Sequence, residues 1–193
     1  MQQLFMRRPD LKNLPEMPPL PPGYALRTFQ WSGEEFEGGD LGGLAVVLEK
    51  AFEDTGWTPG RVYNNFVCPE SVVETFLITY QEVPVATASV RLYTERYPNS
   101  GYVHWVGVVP EHQGKKLGYV ATLAVLEAFV PLGCHDAVLE TDDFRLSAIQ
   151  TYLNLGFLPE NTHESHPERW AAVLALLRPS ASSPAIPSGE ERK

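Results

Sequence analysis

Between positions 106 and 119 the chain reads V-G-V-V-P-E-H-Q-G-K-K-L-G-Y. A β-rich apolar run stops at Pro110, a short polar loop carries Gly114, Lys115, Lys116 and Gly118, and an apolar helix-like run begins at once. The first backbone N–H groups of a helix have no partner inside it and sit at the positive end of its dipole, so such a turn binds anions. A diphosphate suits this chemistry, with the two lysines either adding charge or standing as a plain solvated pair. Other constellations offer less. His163, Glu164 and His166 lack the ligand number and spacing of a metal site and read as a solvated turn, so no metal is expected. Asp142 and Asp143 read as an acidic pair at a helix N-terminus. There is no G-x-S-x-G nucleophile elbow, and neither cysteine stands in a catalytic setting.

Alternating strand and helix patterns surround the loop. Residues 24–31 read as a first strand, and a glycine-rich stretch at 38–43 leads into a helix over 44–52. β-Branched and aromatic runs at 74–80 and 85–93, separated by Gln81-Glu82-Val83-Pro84, predict an antiparallel hairpin. A third sheet segment over 102–109 precedes the loop, and 117–130 is apolar on almost every face, which predicts a buried helix. A short strand at 137–141 and a helix at 146–155 follow, closed by Gly156 where a left-handed cap is expected.

Composition sets the outer limits. With 193 residues, 44% hydrophobic, the chain can bury a substantial core as one domain, or a domain plus tails. A net charge of −9 argues against nucleic acid as the partner and otherwise speaks for solubility, although an acidic surface would also suit a cationic amine. The two cysteines form no disulfide framework, the first residues have no leader-like apolar core, and no run is long enough to cross a bilayer. These features together predict a soluble cytoplasmic protein without a membrane partner. Positions 15–23 hold five prolines and a glycine, so residues 1–23 are expected to form an extended arm. Residues 24–178 then make the domain, and the Ser/Pro-rich 179–193 a flexible tail.

The segment Gln113-Gly114-Lys115-Lys116-Leu117-Gly118 resembles the Q/R-x-x-G-x-G/A loop of the GCN5-related N-acetyltransferase (GNAT) family, which binds the pyrophosphate of coenzyme A. Lys116 stands where the family usually has its first glycine. A second segment, Arg145-x-x-Ala148-Ile149-x-x-Tyr152-x-x-x-Gly156-Phe157, is similar to the family's N-x-x-A-x-x-x-Y-x-x-x-G-F run, with Arg145 replacing the usual Asn. The order and spacing of elements over 24–158 agree with that family. The loop is also similar to mycothiol-synthase-like members, a likeness too general to name a substrate. The resemblance implies an α/β acyl-CoA N-acyltransferase fold, with a mixed central sheet flanked by helices.

It further implies acetyl transfer from acetyl-CoA to a primary amine, by direct attack in a ternary complex and without a metal. A small-molecule amine is the first expectation and a protein amine the second; a non-catalytic acyl-CoA-binding module or sensor is the alternative. Carried over residue by residue, cofactor contacts fall on Gln113, Gly114, Lys115, Lys116, Leu117 and Gly118. Val106 and Val108 would offer backbone groups to the pantetheine arm while their side chains pack the sheet, and Arg145 would reach a phosphate or the same arm. Tyr152 matches the tyrosine that protonates the leaving thiolate, a role open to a phenol with a pKa near ~10; its helical spacing also fits a core aromatic. His104, which simple alternation sets on the face of Val106 and Val108, is the first candidate base or else an edge residue of the pocket. Glu140 or a water chain is the reserve. After Phe157 the family's closing strand pair is replaced by a candidate capping box at Ser165 to Glu168 and an amphipathic terminal helix. The last strand is therefore expected to be short or missing. The helix is expected to pack on its own domain, to cover the sheet edge, or to pair with a second copy in a homodimer.

Overall fold

A computed structural model describes residues 2–31, 33, 39–52, 54 and 56–177 of the chain. Its strands are β1 (Leu4–Arg8), β2 (Tyr24–Thr28), β3 (Val72–Tyr80), β4 (Val83–Arg91), β5 (Ser100–Val108), β6 (Asp136–Thr141) and β7 (Leu158–Glu160). The helices are α1 (Gly39–Phe52), α2 (Pro59–Val62), α3 (Leu117–Phe129), α4 (Leu146–Asn154) and α5 (His166–Leu177). A π-helical turn, Tyr63–Val67, follows α2. The strands form one mixed sheet in the order β2-β3-β4-β5-β6-β1-β7. β2 to β5 are antiparallel neighbours, and β5 runs parallel to β6.

Two apolar clusters cover the two faces of the sheet. On one face Leu41, Leu44 and Leu48 of α1 pack with Trp57, Val62, Phe66 and Leu77. On the other, α3 packs on Ala86, Ala88, Val90 and Val103, joined by Ile149 and Tyr152 of α4 and Trp170 and Val173 of α5. Most of α3 is buried, as its sequence requires; even Thr122 is sealed, its hydroxyl donating to the Gly118 carbonyl at 2.7 Å. The β3–β4 hairpin turns on Gln81 and Glu82 alone, with φ of 49° and 69°. This two-residue, positive-φ turn matches strand twist although neither position is glycine or asparagine. Val83 and Pro84 belong to the strand, Pro84 at a register shift where a missing donor is tolerated.

The N-terminal boundary differs from the sequence expectation. Leu4, Phe5 and Met6 are buried, and β1 lies between β6 and β7, antiparallel to both. The sheet therefore begins ahead of the proline-rich segment, and 1–23 is not one extended arm. Arg7 ties the strand down, its Nε donating to Glu160 at 2.8 Å while its guanidinium pairs with Asp136. At the other end β7 is only three residues long, so β1 fills the place beside β6. The expected capping box is not formed: the Ser165 hydroxyl pairs with His163 Nδ1 at 2.9 Å and accepts from Arg169 at 3.3 Å. Helix α5 packs into its own domain's core through Trp170 and Val173. The expected tail at 179–193 and Gly38 lie outside the described residues.

Candidate active site

The loop after β5 makes a short 3-10 turn at Pro110–His112, passes Gly114 at φ 77°, and enters α3 through Lys116 at φ 59° and ψ 19°. Lys116 thus holds the left-handed conformation that costs a side chain energy and glycine almost nothing. The lysine adopts the backbone geometry a glycine would supply. The first α-helical bond runs from the Val120 N–H to the Lys116 carbonyl at 3.1 Å, so the N–H groups of Leu117, Gly118 and Tyr119 precede the ladder and find no acceptor among the described residues. They face a groove of about 480 Å³ lined by Val106, Val108, Gln113, Gly114, Lys116, Leu117, Gly118, Arg145 and Tyr152, among others. The Gln113 amide donates to the Val108 carbonyl at 3.4 Å, joining the loop to the strand. Lys115 is outside this lining; its ammonium donates to the Glu111 carbonyl at 3.4 Å.

β5 and β6 stay paired only from Ser100↔Asp136 to Tyr102↔Val138. Beyond that point they separate, and a second cleft of about 400 Å³ opens between them, lined by Tyr102, His104, Trp105 and Val106 of β5 and by Leu139 and Glu140 of β6. A bulge shapes this opening. Opposite β4, Ser89 pairs with His104 and Thr87 with Gly107, leaving one extra residue on β5, and Trp105 takes φ 48°. The extra residue reverses the alternation, so His104 shares the α1 face with Arg91 and Tyr102 while Val108 faces α3. Simple alternation therefore placed His104 on the wrong face relative to Val108. Its Nε2 lies 3.3 Å from Arg91 Nη1. A guanidinium only donates, so Nε2 is the acceptor and Nδ1 carries the hydrogen. Burial, then Arg91, lowers the His104 pKa to about 3. Its lone pair is already engaged, which makes it a poor base.

Groove and cleft meet at Val106, Arg145, Ala148 and Tyr152, which line both. Tyr152 is held there by the end of its own helix. The Phe157 N–H bonds the Tyr152 carbonyl at 3.0 Å across Gly156, whose φ is 83°, and the two rings meet edge to face at 6.0 Å. This is the six-residue helix stop in which the glycine turns left-handed and its flanking apolar residues touch. The Tyr-x-x-x-Gly-Phe spacing follows from it. The Tyr152 hydroxyl makes no hydrogen bond among the described residues, and burial pushes its pKa up, partly offset by Arg145. It stays protonated at all moderate pH. Arg145 sits at the start of α4, its Nε 3.3 Å from Asp142 and its guanidinium 4.4 Å from the Phe52 ring centre. It lies at the junction of groove and cleft.

Across the cleft Glu140 accepts from the Tyr102 hydroxyl at 3.0 Å and from Arg96 at 2.9 Å. Burial foremost, then Glu140, pushes the Tyr102 phenol well up, so it remains a donor. Several lining residues had no sequence signal of their own: Gln3 just ahead of β1, Phe52 of α1, Arg91 of β4 and Tyr102 of β5 reach the cleft from separate parts of the chain. Only register could find them, since Arg91 and Tyr102 are cross-strand partners. Asp142 and Asp143 are ion-paired to Arg145 and Arg169 rather than capping α4, whose first flanking residue is Arg145. Among the described residues no group of three or more His, Cys, Asp or Glu side chains could hold a metal.

Solved structures share this fold. A GCN5-related N-acetyltransferase from Sphaerobacter thermophilus superposes with a TM-score of 0.61 at 19% identity, over 83% of this chain and 50% of that one. Another from Kribbella flavida gives a TM-score of 0.57 at 22% identity, over 82% of this chain and 55% of that one. In sequence, a mycothiol acetyltransferase of Actinosynnema mirum is 33% identical over 162 residues, 81% of this chain and 52% of that protein. That of Nocardia farcinica is 29% identical over 171 residues, 82% of this chain and 53% of that protein. The chain thus spans about half the length of these relatives. Residues 42–157 match the family model described as the acetyltransferase (GNAT) family, and the chain belongs to that family.

Proposed function

We propose that the chain transfers an acetyl group from acetyl-CoA to a primary amine of a small molecule. One observation carries this reading: a groove edged by unpaired amides and a polar cleft meet where β5 and β6 part. One substrate in the groove and another in the cleft would touch only there, and holding them so replaces a bimolecular encounter with a local one. The names of the mycothiol acetyltransferases support acetyl transfer as the chemistry.

In this reading the diphosphate of coenzyme A lies on the N–H groups of Leu117, Gly118 and Tyr119, which the left-handed turn at Lys116 presents. Backbone groups near Val106 and the Val108 N–H, on the side of the separated β6, hold the pantetheine arm. Arg145 sits by the thioester end. An amine in the cleft attacks the thioester carbonyl; the carbon–sulfur bond breaks and Tyr152 gives its proton to the departing sulfur. The amine's proton leaves through water towards Glu140, in place of His104. Both cysteines are free thiols, which fits a cytoplasmic setting. The test is free-thiol release from acetyl-CoA across a panel of small amines. Coenzyme A that binds while no amine is acetylated would overturn the enzymatic reading in favour of a binding module.

A further inference from the structure

Among the described residues, five charged side chains line the cleft on the α1 side: Asp54, Arg91, Glu140, Asp142 and Arg145. Four have an opposite charge at hand, since Asp54 pairs with Arg61 at 2.9 Å, Glu140 with Arg96 at 2.9 Å, and Asp142 with Arg145 at 3.3 Å. Arg91 has no carboxylate partner among the described residues. Its Nε donates to the Ser71 hydroxyl at 3.2 Å, its Nη1 to His104 Nε2 at 3.3 Å, and its carbon lies 4.4 Å from the Tyr93 ring centre. These contacts fix the guanidinium plane and leave Nη2 without an acceptor. His104 Nδ1, next along the same network, is buried without a partner among the described residues. A positioned, half-buried cation with no counter-ion among the described residues, in a chain of net charge −9, is built to receive an anion.

We infer that Arg91 binds a carboxylate on the acceptor, so that the amines acetylated best are those that also carry a carboxylate; this rests on the amine-acetylating reading above. One uncompensated positive charge matches one negative charge. A phosphate dianion would bring a second negative charge towards Glu140 and Asp142. The geometry also suits a small amphoteric molecule. Arg91 pairs with Tyr102 across β4 and β5, and Tyr102 reaches Glu140 on β6. Guanidinium and carboxylate thus stand two strands apart, at least about 10 Å between backbones because β6 is already parting from β5 at Glu140. The acceptor's carboxylate would lie on Arg91 while its amine faces the Glu140 end of the cleft.

Two measurements test this. In the first, N-acetylalanine and N-acetylalaninamide are titrated calorimetrically into the coenzyme A-loaded protein. The acid is expected to bind at least about tenfold more tightly, which is about 1.4 kcal/mol. Arg91→Gln should erase that preference and Arg91→Lys should keep part of it. Equal affinities, no binding of either compound, or a preference that survives in Arg91→Gln would overturn the inference, and the wild-type comparison stands even where a variant fails to fold. In the second, thiol release is followed with the common amino acids, their carboxamides, glucosamine and O-phosphoethanolamine. Amino acids are expected to lead. Carboxamides or glucosamine reacting equally fast would overturn the carboxylate site while leaving acetyl transfer intact, and a lead for O-phosphoethanolamine would overturn carboxylate in favour of phosphate. Silence of every amine would sink acetyl transfer instead, with the calorimetric comparison still deciding what Arg91 binds.

Discussion

Placing a carboxylate at Gly118 separates stability from cofactor binding, because the two should move in opposite directions. A Cβ built on Gly118 meets only Val108 Cγ2, at 3.6 Å, an ordinary contact, and the residue lies in the first turn of α3. Aspartate costs a helix about a few tenths of a kcal/mol less than glycine, and an acid in the first turn gains about 0.3–1 kcal/mol from the helix dipole. Gly118→Asp should therefore fold at least as stably as the wild type. The new carboxylate would stand in the groove beside the free amides, and at about 5 Å from a phosphate charge, with an effective dielectric of about 20, repulsion is about 3 kcal/mol. Solvent and salt screen part of this, so coenzyme A affinity should fall by more than about tenfold, or about 1.4 kcal/mol. Gly118→Ala should bind within about threefold of wild type, since its Cβ fits. Calorimetric titration beside a melting curve decides the matter. A folded Gly118→Asp with unchanged affinity would remove this helix start from the cofactor site.

Tyr152→Phe deletes a hydroxyl that makes no hydrogen bond among the described residues, so melting and coenzyme A affinity should hardly change while turnover falls about 10²–10⁴-fold; a wild-type rate would mean that water protonates the thiolate. Lys116→Gly should relieve a left-handed side chain and raise stability by up to about 1 kcal/mol, with coenzyme A bound as before. A tenfold loss of affinity would show instead that the ammonium holds a phosphate. His104 predicts an acid sensitivity: its folded pKa is about 3 against an ordinary 6.5, so the unfolded chain takes up a proton that the native site refuses. This contribution is complete above about pH 6.5 and erodes as pH falls, by about 2 kcal/mol at pH 5. Urea midpoints of wild type and His104→Gln should diverge accordingly between pH 7 and pH 5; parallel curves would mean that His104 is not buried against Arg91.

Sequence alone disclosed what is written in local backbone chemistry. Gly156 predicts a left-handed helix stop because few other residues take that conformation cheaply, and the stop fixes Tyr152 against Phe157. The loop ahead of α3 was legible because a glycine, a polar run and an apolar helix sit within a few residues of one another. Lys116 marks the limit of that reading, since its left-handed turn is imposed by the strand and helix on either side. Pairing between distant segments was not legible. β1 pairs with residues more than a hundred positions away, and five residues ahead of a proline-rich stretch carry no periodic signal of such a role. The bulge at Trp105 is likewise invisible locally, yet it swings His104 to the face of Arg91 and away from Val108. Short-range rules determine where the chain turns, stops and exposes amides. Which side chains share a cleft depends on register and on where two strands part, and those are settled only when remote segments compete for the same sheet edges.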